Sequence, residues 1–226
     1  MVAQRNKEPG KGKSLKLMLV DDHAVVRTGF KLLLQASDDI EVVAEADSGE
    51  AACALYGSSA PDVVVMDIAM GGMGGLEAIK RILAHDPSAR ILALSAHEDT
   101  SHPKRALQAG ALGYLSKRSA PEVLIDALRS IAQGRRYVDA QIAQRMLAQE
   151  LSGNQGPLEK LSAREFEVFL QLARGQSVAQ ISETLKLSGS TVGTHLYNIK
   201  QKLDLSNQAE MTLLAVRHGL IDVGPK

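Results

Sequence analysis

An α/β domain built on a five-stranded, doubly wound parallel sheet, followed by an all-α domain of four short helices, is the architecture the sequence predicts. Three observations carry it. Short apolar runs alternate with segments of helical period from Leu15 to about Gly134, the middle runs are almost unbroken Val, Ile, Leu and Met, and only helical periodicity remains beyond residue 157. The 226-residue chain is 45% hydrophobic and 23% charged, which is enough for one or two ordinary domains with real cores.

The first fourteen residues, MVAQRNKEPGKGKS, carry Arg5, Lys7, Lys11 and Lys13 against Glu8 and show no periodicity, which predicts a disordered basic tail. Gly12, Lys13 and Ser14 end it like a phosphate-binding loop. That motif fails, because Lys7 stands where its first glycine is needed and the segment precedes a strand instead of following one.

Five strand runs follow: LKLMLV, IEVVAE, VVVMD, ILALS and GYL. Helical segments from Val25 to Leu34, Leu76 to Leu83 and Val123 to Ile131 separate them, and such strand–helix crossovers require parallel strands covered on both faces. Helix starts are marked by Ser48 ahead of Ala51 and by a capping-box pattern, Ser119 with Glu122. A helical extension and linker spans 135–157, and the stretch from Ala148 to Lys160, AQELSGNQGPLEK, collects turn residues and loses periodicity. In the last domain, 158–226, helices are expected at 163–174, 178–185, 189–203 and 208–218. Ser162 with Glu165, Ser177 with Gln180 and Asn207 with Glu210 form capping patterns there, Ser188 lacks the acidic partner, and Gly175 and Gly219 are stops.

Bulk properties exclude several classes. One cysteine, Cys53, permits neither an internal disulfide nor a multi-cysteine zinc site. No apolar run reaches the length of a signal core or a membrane span, so a cytoplasmic location without membrane contact is expected. Formal net charge is zero, and no global basic field announces nucleic acid.

Chemistry gathers at the strand ends, where ligands of parallel α/β sheets bind. Asp21 and Asp22 follow the first strand, Asp67 ends the third, Ser95 the fourth, and Ser116 with Lys117 the fifth. Each alone is ordinary, since a strand-end Asp caps helices and a lone Lys is usually a solvated charge. Together the carboxylates would repel unless they held a cation, and hard oxygen donors suit Mg²⁺. Lysine and a hydroxyl opposite suit a phosphoryl group.

The stretches LVDDH, VVVMDIAM, GGLEA, LALSAH and AGALGYLSKRSAPEVL resemble the receiver domain of bacterial two-component response regulators, over Leu15 to about Ala132. The resemblance implies a flavodoxin-like fold in which Asp67 accepts a phosphoryl group from a sensor histidine kinase. It implies Mg²⁺ held by Asp22, Asp67 and the backbone carbonyl of Ala69, with Asp21 acting mainly through water. Lys117 would pair with the phosphoryl oxygens, Ser95 would swing to hydrogen-bond them, and Tyr114 would move inward. The sequence departs from the family in its loop: Gly71 stands where proline is common, and Gly74 with Gly75 where Asp-Gly is common. Ala69 and His97 occupy places that could tune acyl-phosphate hydrolysis. A haloacid-dehalogenase phosphatase, which needs a second acid two residues after the nucleophile, is opposed by alanine at 69, so no enzyme is expected.

In the last domain Val192, Leu196, Ile199 and Leu203 set a core face, opposite Ser190, Gly193, Thr194, Tyr197, Asn198 and Gln201. A preceding helix and the short turn KLS make a helix-turn-helix. A protein-binding bundle fits the spacing equally, and from Pro157 onward eight Lys and Arg against seven Asp and Glu are poor electrostatics for DNA. The stretch LSAREFEVFLQLARGQSVAQISETLKLSGSTVGTHLYNIKQKLDLSNQAE nevertheless resembles the four-helix LuxR-type, or NarL/FixJ, DNA-binding domain, a likeness that covers essentially all of Leu158 to Ile221. That resemblance implies phosphate contacts from Ser188, Ser190, Thr191 and Lys202 and base-facing positions at Gly193, Thr194 and Tyr197. Met211, Leu214 and Leu220 would form the seam of a homodimer made on phosphorylation. Relatives usually carry lysine where Gly193 stands, and the unphosphorylated receiver often masks the recognition helix.

Overall fold

The computed structural model describes residues 14–96, 101–151, 157–218 and 220–221. Residues 1–13 of the expected tail 1–14, His97 and Gly219 lie outside them. The first domain runs β1 (Leu15–Val20), α1 (Ala24–Gln35), β2 (Ile40–Ala46), α2 (Gly49–Ser59), β3 (Val63–Asp67), α3 (Gly75–His85), β4 (Ile91–Ser95), α4 (Ser101–Gln108), β5 (Gly113–Ser116) and α5 (Pro121–Ala132). A two-residue strand β6 (Tyr137–Val138) and helix α6 (Ala140–Leu151) follow.

All strands pair in parallel, in the order β2-β1-β3-β4-β5-β6. The sheet therefore has six strands where five were expected. The sixth is two residues in a polar surround, too short for an alternating pattern, and is held by pairing with Gly113 and Tyr114. Strand residues alternate between two cores, as a period of two requires. Met18, Val20, Val64, Met66 and Ala93 face the side covered by α2, α3 and α4. Leu17, Leu19, Val63, Val65 and Leu94 face the side covered by α1 and α5. The chain leaves β1 for β2 on one side and returns as β3 on the other, so the strand order reverses at β1 and β3 and opens a crevice beyond their ends.

Two boundary expectations are corrected. Ser119 does not cap α5: Ala120 is the cap residue, without a side-chain bond, and Pro121 opens the helix. Proline supplies a preset φ and has no N–H to satisfy, so the cap is less needed. The segment read as linker from Ala148 is still helical to Leu151.

The second domain opens with a 3₁₀ turn (Pro157–Lys160) and contains α7 (Ala163–Ala173), α8 (Val178–Leu185), α9 (Gly189–Leu203) and α10 (Gln208–Arg217). Ser162 with Glu165 and Ser177 with Gln180 form reciprocal capping boxes. Asn207 accepts the Glu210 N–H at 3.0 Å, but the Glu210 carboxylate turns to the Ser206 N–H at 2.6 Å, so that box is not closed. Phe166, Phe169, Leu172, Ile181, Leu185, Val192, Ile199 and Met211 fill the core between the helices.

Candidate functional site

β1 and β3 lie in register, Val20 beside Met66, so the residues just beyond them meet. Asp67 is 1% exposed and Asp21 3%. Lys117, from the turn after β5, reaches between them, its Nζ 2.7 Å from Asp67 Oδ2 and 2.6 Å from Asp21 Oδ2. Asp67 Oδ1 accepts the Ala69 N–H at 3.0 Å. Asp22 sits at the rim, where Oδ1 lies 2.7 Å from His23 Nδ1 and Oδ2 accepts the Gly71 N–H at 3.4 Å. His23 was not singled out by sequence reasoning, although it directly follows the acid pair.

Burial pushes the Asp67 carboxyl above the usual carboxylate range, against the pull of the Lys117 ammonium and the Ala69 N–H. Burial works against the Lys117 ammonium too, yet Asp67 and Asp21 hold its pKa above the ordinary lysine value. Two buried carboxylates facing one ammonium leave uncompensated negative charge. Ligand atoms of Asp21, Asp22, His23 and Asp67 all lie within 4.8 Å of one another, a grouping that could hold a metal ion. Asp21 Oδ2 is buried with the Lys117 ammonium, 2.6 Å away, beside it. A buried, oxygen-rich donor set that carries more negative charge than one ammonium balances fits a hard divalent cation.

Ser95 is fully buried at the end of β4, where its carbonyl accepts the Lys117 N–H at 2.8 Å. Ser116 Oγ is turned instead to the Arg118 N–H, 3.2 Å away. Tyr114 is already fully buried in the core under α3 and α4, so the structure shows its inward position and not the outward one from which movement was expected. The touch of Ala69 on the site that the structure shows is its N–H on Asp67.

At the start of α9, Ser188 Oγ accepts the Thr191 N–H at 3.0 Å and lies 2.8 Å from Ser190 Oγ and 2.7 Å from Thr191 Oγ1. Thr194 donates its hydroxyl to the Ser190 carbonyl at 3.0 Å, and Tyr197 is 64% exposed. A Cβ added at Gly193 would meet nothing within 4 Å. The recognition face is therefore open, contrary to the expected masking. Among the described residues, the first domain reaches the 3₁₀ turn, α7 and the end of α8.

Two further expectations change. Lys202 Nζ lies 2.6 Å from Glu165, the acid of the α7 capping box, and is thus engaged within its own domain. Met211 and Leu220 are buried in the domain core and cannot form a seam, while Leu214 packs against that core half-buried. The large apolar side chain that α10 does expose is Leu213, 51% exposed. Periodicity alone could not distinguish the two faces of so apolar a helix.

An acid pocket at the switch point of a parallel sheet, joined to an open helix-turn-helix, defines a signalling receiver coupled to a DNA-reading domain. Comparison with known proteins agrees. Residues 17–129 match the family described as response regulator receiver domain, and residues 159–215 match the bacterial regulatory proteins of the luxR family. The response regulator UvrY of Escherichia coli (strain K12) is 40% identical over 208 residues, covering 91% of this chain and 95% of UvrY. The crystal structure of the response regulator ChrA, from a heme-sensing two-component system, is 37% identical, covers 92% of this chain and 99% of ChrA, and superposes with a TM-score of 0.52. RcsB from Salmonella enterica serovar Typhimurium, bound to a promoter in the presence of the phosphomimetic BeF3-, is 25% identical, covers 89% of this chain and 98% of RcsB, and has a TM-score of 0.66.

The chain belongs to the two-component response regulators of the NarL/FixJ class, which join a receiver to a LuxR-type helix-turn-helix. It is a phosphorylation-dependent, DNA-binding transcriptional regulator.

Proposed function

We propose that Asp67 is the phosphoacceptor and that Asp21, Asp22, Asp67 and the Ala69 carbonyl hold Mg²⁺ beside it. One observation carries this reading: Asp67 is the most buried carboxylate of the pocket, and its Oδ2 is fixed by Lys117. When bound, Mg²⁺ neutralises charge gathering on the transferring group. The chain's own part is positioning. A carboxylate oxygen of Asp67 forms the bond to phosphorus as the bond from phosphorus to the donor histidine nitrogen breaks, leaving a neutral imidazole on the kinase. Lys117 exchanges its contact with Asp67 for the phosphoryl oxygens, and the Ser95 hydroxyl becomes a further donor to them.

On the output side, Ser188, Ser190 and Thr191 meet phosphates while Gly193, Thr194 and Tyr197 face the bases. The open face of α9 supports this. Two copies on two half-sites compensate for a helix with little positive charge. Among the described residues no helix is long and apolar enough to cross a membrane, which is consistent with a cytoplasmic regulator.

Incubation with acetyl phosphate and Mg²⁺ should add one phosphoryl mass to the intact chain, and Asp67→Asn should abolish the addition. Undiminished addition to the Asp67→Asn protein moves the acceptor elsewhere.

A further inference from the structure

The loop between Asp67 and α3 carries Gly71, Gly72 and Gly74, and the structure shows what each approaches. A Cβ at Gly71 would collide with the backbone carbonyl of Thr184 in α8. One at Gly74, whose φ is +73°, would lie 2.5 Å from the Glu167 carboxylate in α7. Gly72 differs, because its neighbour is Glu50 of its own domain. Gly71 thus lets the loop come closer to the α8 backbone than any residue with a side chain could, while at Gly74 the close neighbour is the end of the Glu167 side chain, which Arg164 holds in place.

The surface they meet is one fixed corner. Arg164 pairs with Glu167 on α7 and donates to the Leu185 carbonyl at 2.9 Å, which ties α7 to the end of α8. Burial raises the Glu167 carboxyl to about 7 against the opposing pull of Arg164, as expected for an acid covered by an apposed backbone. A second contact flanks the corner. The Arg105 guanidinium of α4 donates to the carbonyls of Leu158 (2.6 Å) and Leu161 (2.8 Å) and lies 4.4 Å over the Phe166 ring, and Lys104 pairs with Glu159 at 2.7 Å. On its other side the loop borders the acid pocket, where the Gly71 N–H donates to Asp22.

We propose that Gly71 and Gly74 form a docking seat for the α7–α8 corner of the DNA-binding domain, holding the two domains together through the phosphoacceptor loop while leaving the recognition face uncovered. Closure of this kind restrains where the recognition helix can be carried, not whether DNA can reach it. A change in the pocket that withdraws Asp22 from Gly71 acts directly on the seat. Only this last link rests on the phosphoacceptor assignment, since docking is measured with no phosphoryl group present.

The test uses the full chain without phosphodonor, read by small-angle X-ray scattering and amide hydrogen exchange. Gly71→Ala should enlarge the radius of gyration and speed exchange at residues 184–187 by about tenfold, the signature of a lost local contact. Gly72→Ala strains the same loop at φ +69° but meets only Glu50, and should leave both readouts at the wild-type value. Arg105→Ala opens the closed arrangement from α4 without altering the loop, and should expose the Gly71 and Gly74 amides to faster exchange. A Gly71→Ala chain indistinguishable from wild type overturns the seat, as does a Gly72→Ala chain that opens equally far. Should Gly71→Ala lose its folded circular dichroism, unchanged exchange at Gly71 and Gly74 in an enlarged Arg105→Ala chain overturns it independently.

Discussion

On the proposed site assignments, the acid pocket and the recognition face of α9 are opposite solutions to binding an anionic partner. The pocket is buried, with Asp21 and Asp67 almost without exposure and an ammonium locked between them. The recognition face is exposed and nearly uncharged, built from hydroxyls, an open Gly193 and the Tyr197 ring, with Lys202 held by Glu165. Low dielectric in the pocket makes each charge strong and each missing partner costly. On the face, water screens charge, and affinity must come from many weak contacts, to which a second copy on a second half-site would add. Single substitutions should therefore act sharply in the first region and mildly in the second.

The largest effect is expected at Lys117. Lys117→Met leaves two buried carboxylates facing each other, and breaking a buried ion pair from one side costs about 3–5 kcal/mol. Urea unfolding should show that loss, and added Mg²⁺ should return a substantial part of it by taking the place of the ammonium as counter-charge. A loss below about 1 kcal/mol, the range of exposed pairs, would place the pocket in the same class as the surface and erase the contrast.

This contrast also explains what the sequence could reveal. Strand ends are fixed where apolar runs stop, so VVVMD places Asp67, and LKLMLV places Asp21 and Asp22, at the edge of the sheet from pattern alone. The bounds of α8 and α9 were equally legible, because Ser177 and Ser188 cap them. What stayed hidden depends on contacts distant in sequence. Lys202 against Glu165 and Arg105 over the Phe166 ring follow from packing and leave no local pattern. The loop glycines read as a departure from a stiffer family loop, and only the approach of Thr184 and Glu167 gives them a physical cause.

The next effect separates core from surface on α10. Met211 is fully buried and Leu213 half exposed, two residues apart on one helix. Met211→Ala should cost about 2–5 kcal/mol of the helical domain's stability, as truncations of buried side chains do. Leu213→Ala should change stability by less than about 0.5 kcal/mol, the range for surface sites. If the chain pairs through the exposed side of α10, Leu213→Ala should instead weaken association, which sedimentation of the phosphorylated chain reads. Equal destabilisation by the two substitutions would mean that α10 packs through the face assigned here to solvent.

The smallest effect tests the recognition face itself. Gly193 has open space around its Cα, so Gly193→Lys can be accommodated without displacing a neighbour. Replacing a mid-helix glycine should stabilise α9 by somewhat less than about 1 kcal/mol. If this face lies in the major groove, the new ammonium also displaces a condensed counterion, and the slope of log affinity against log salt should steepen by about 0.9. Stability and salt slope are independent readouts of one substitution. A gain in stability with an unchanged salt slope would show that the helix is as described but that its uncharged face does not lie against DNA, leaving the pocket as the anion-binding region of the two.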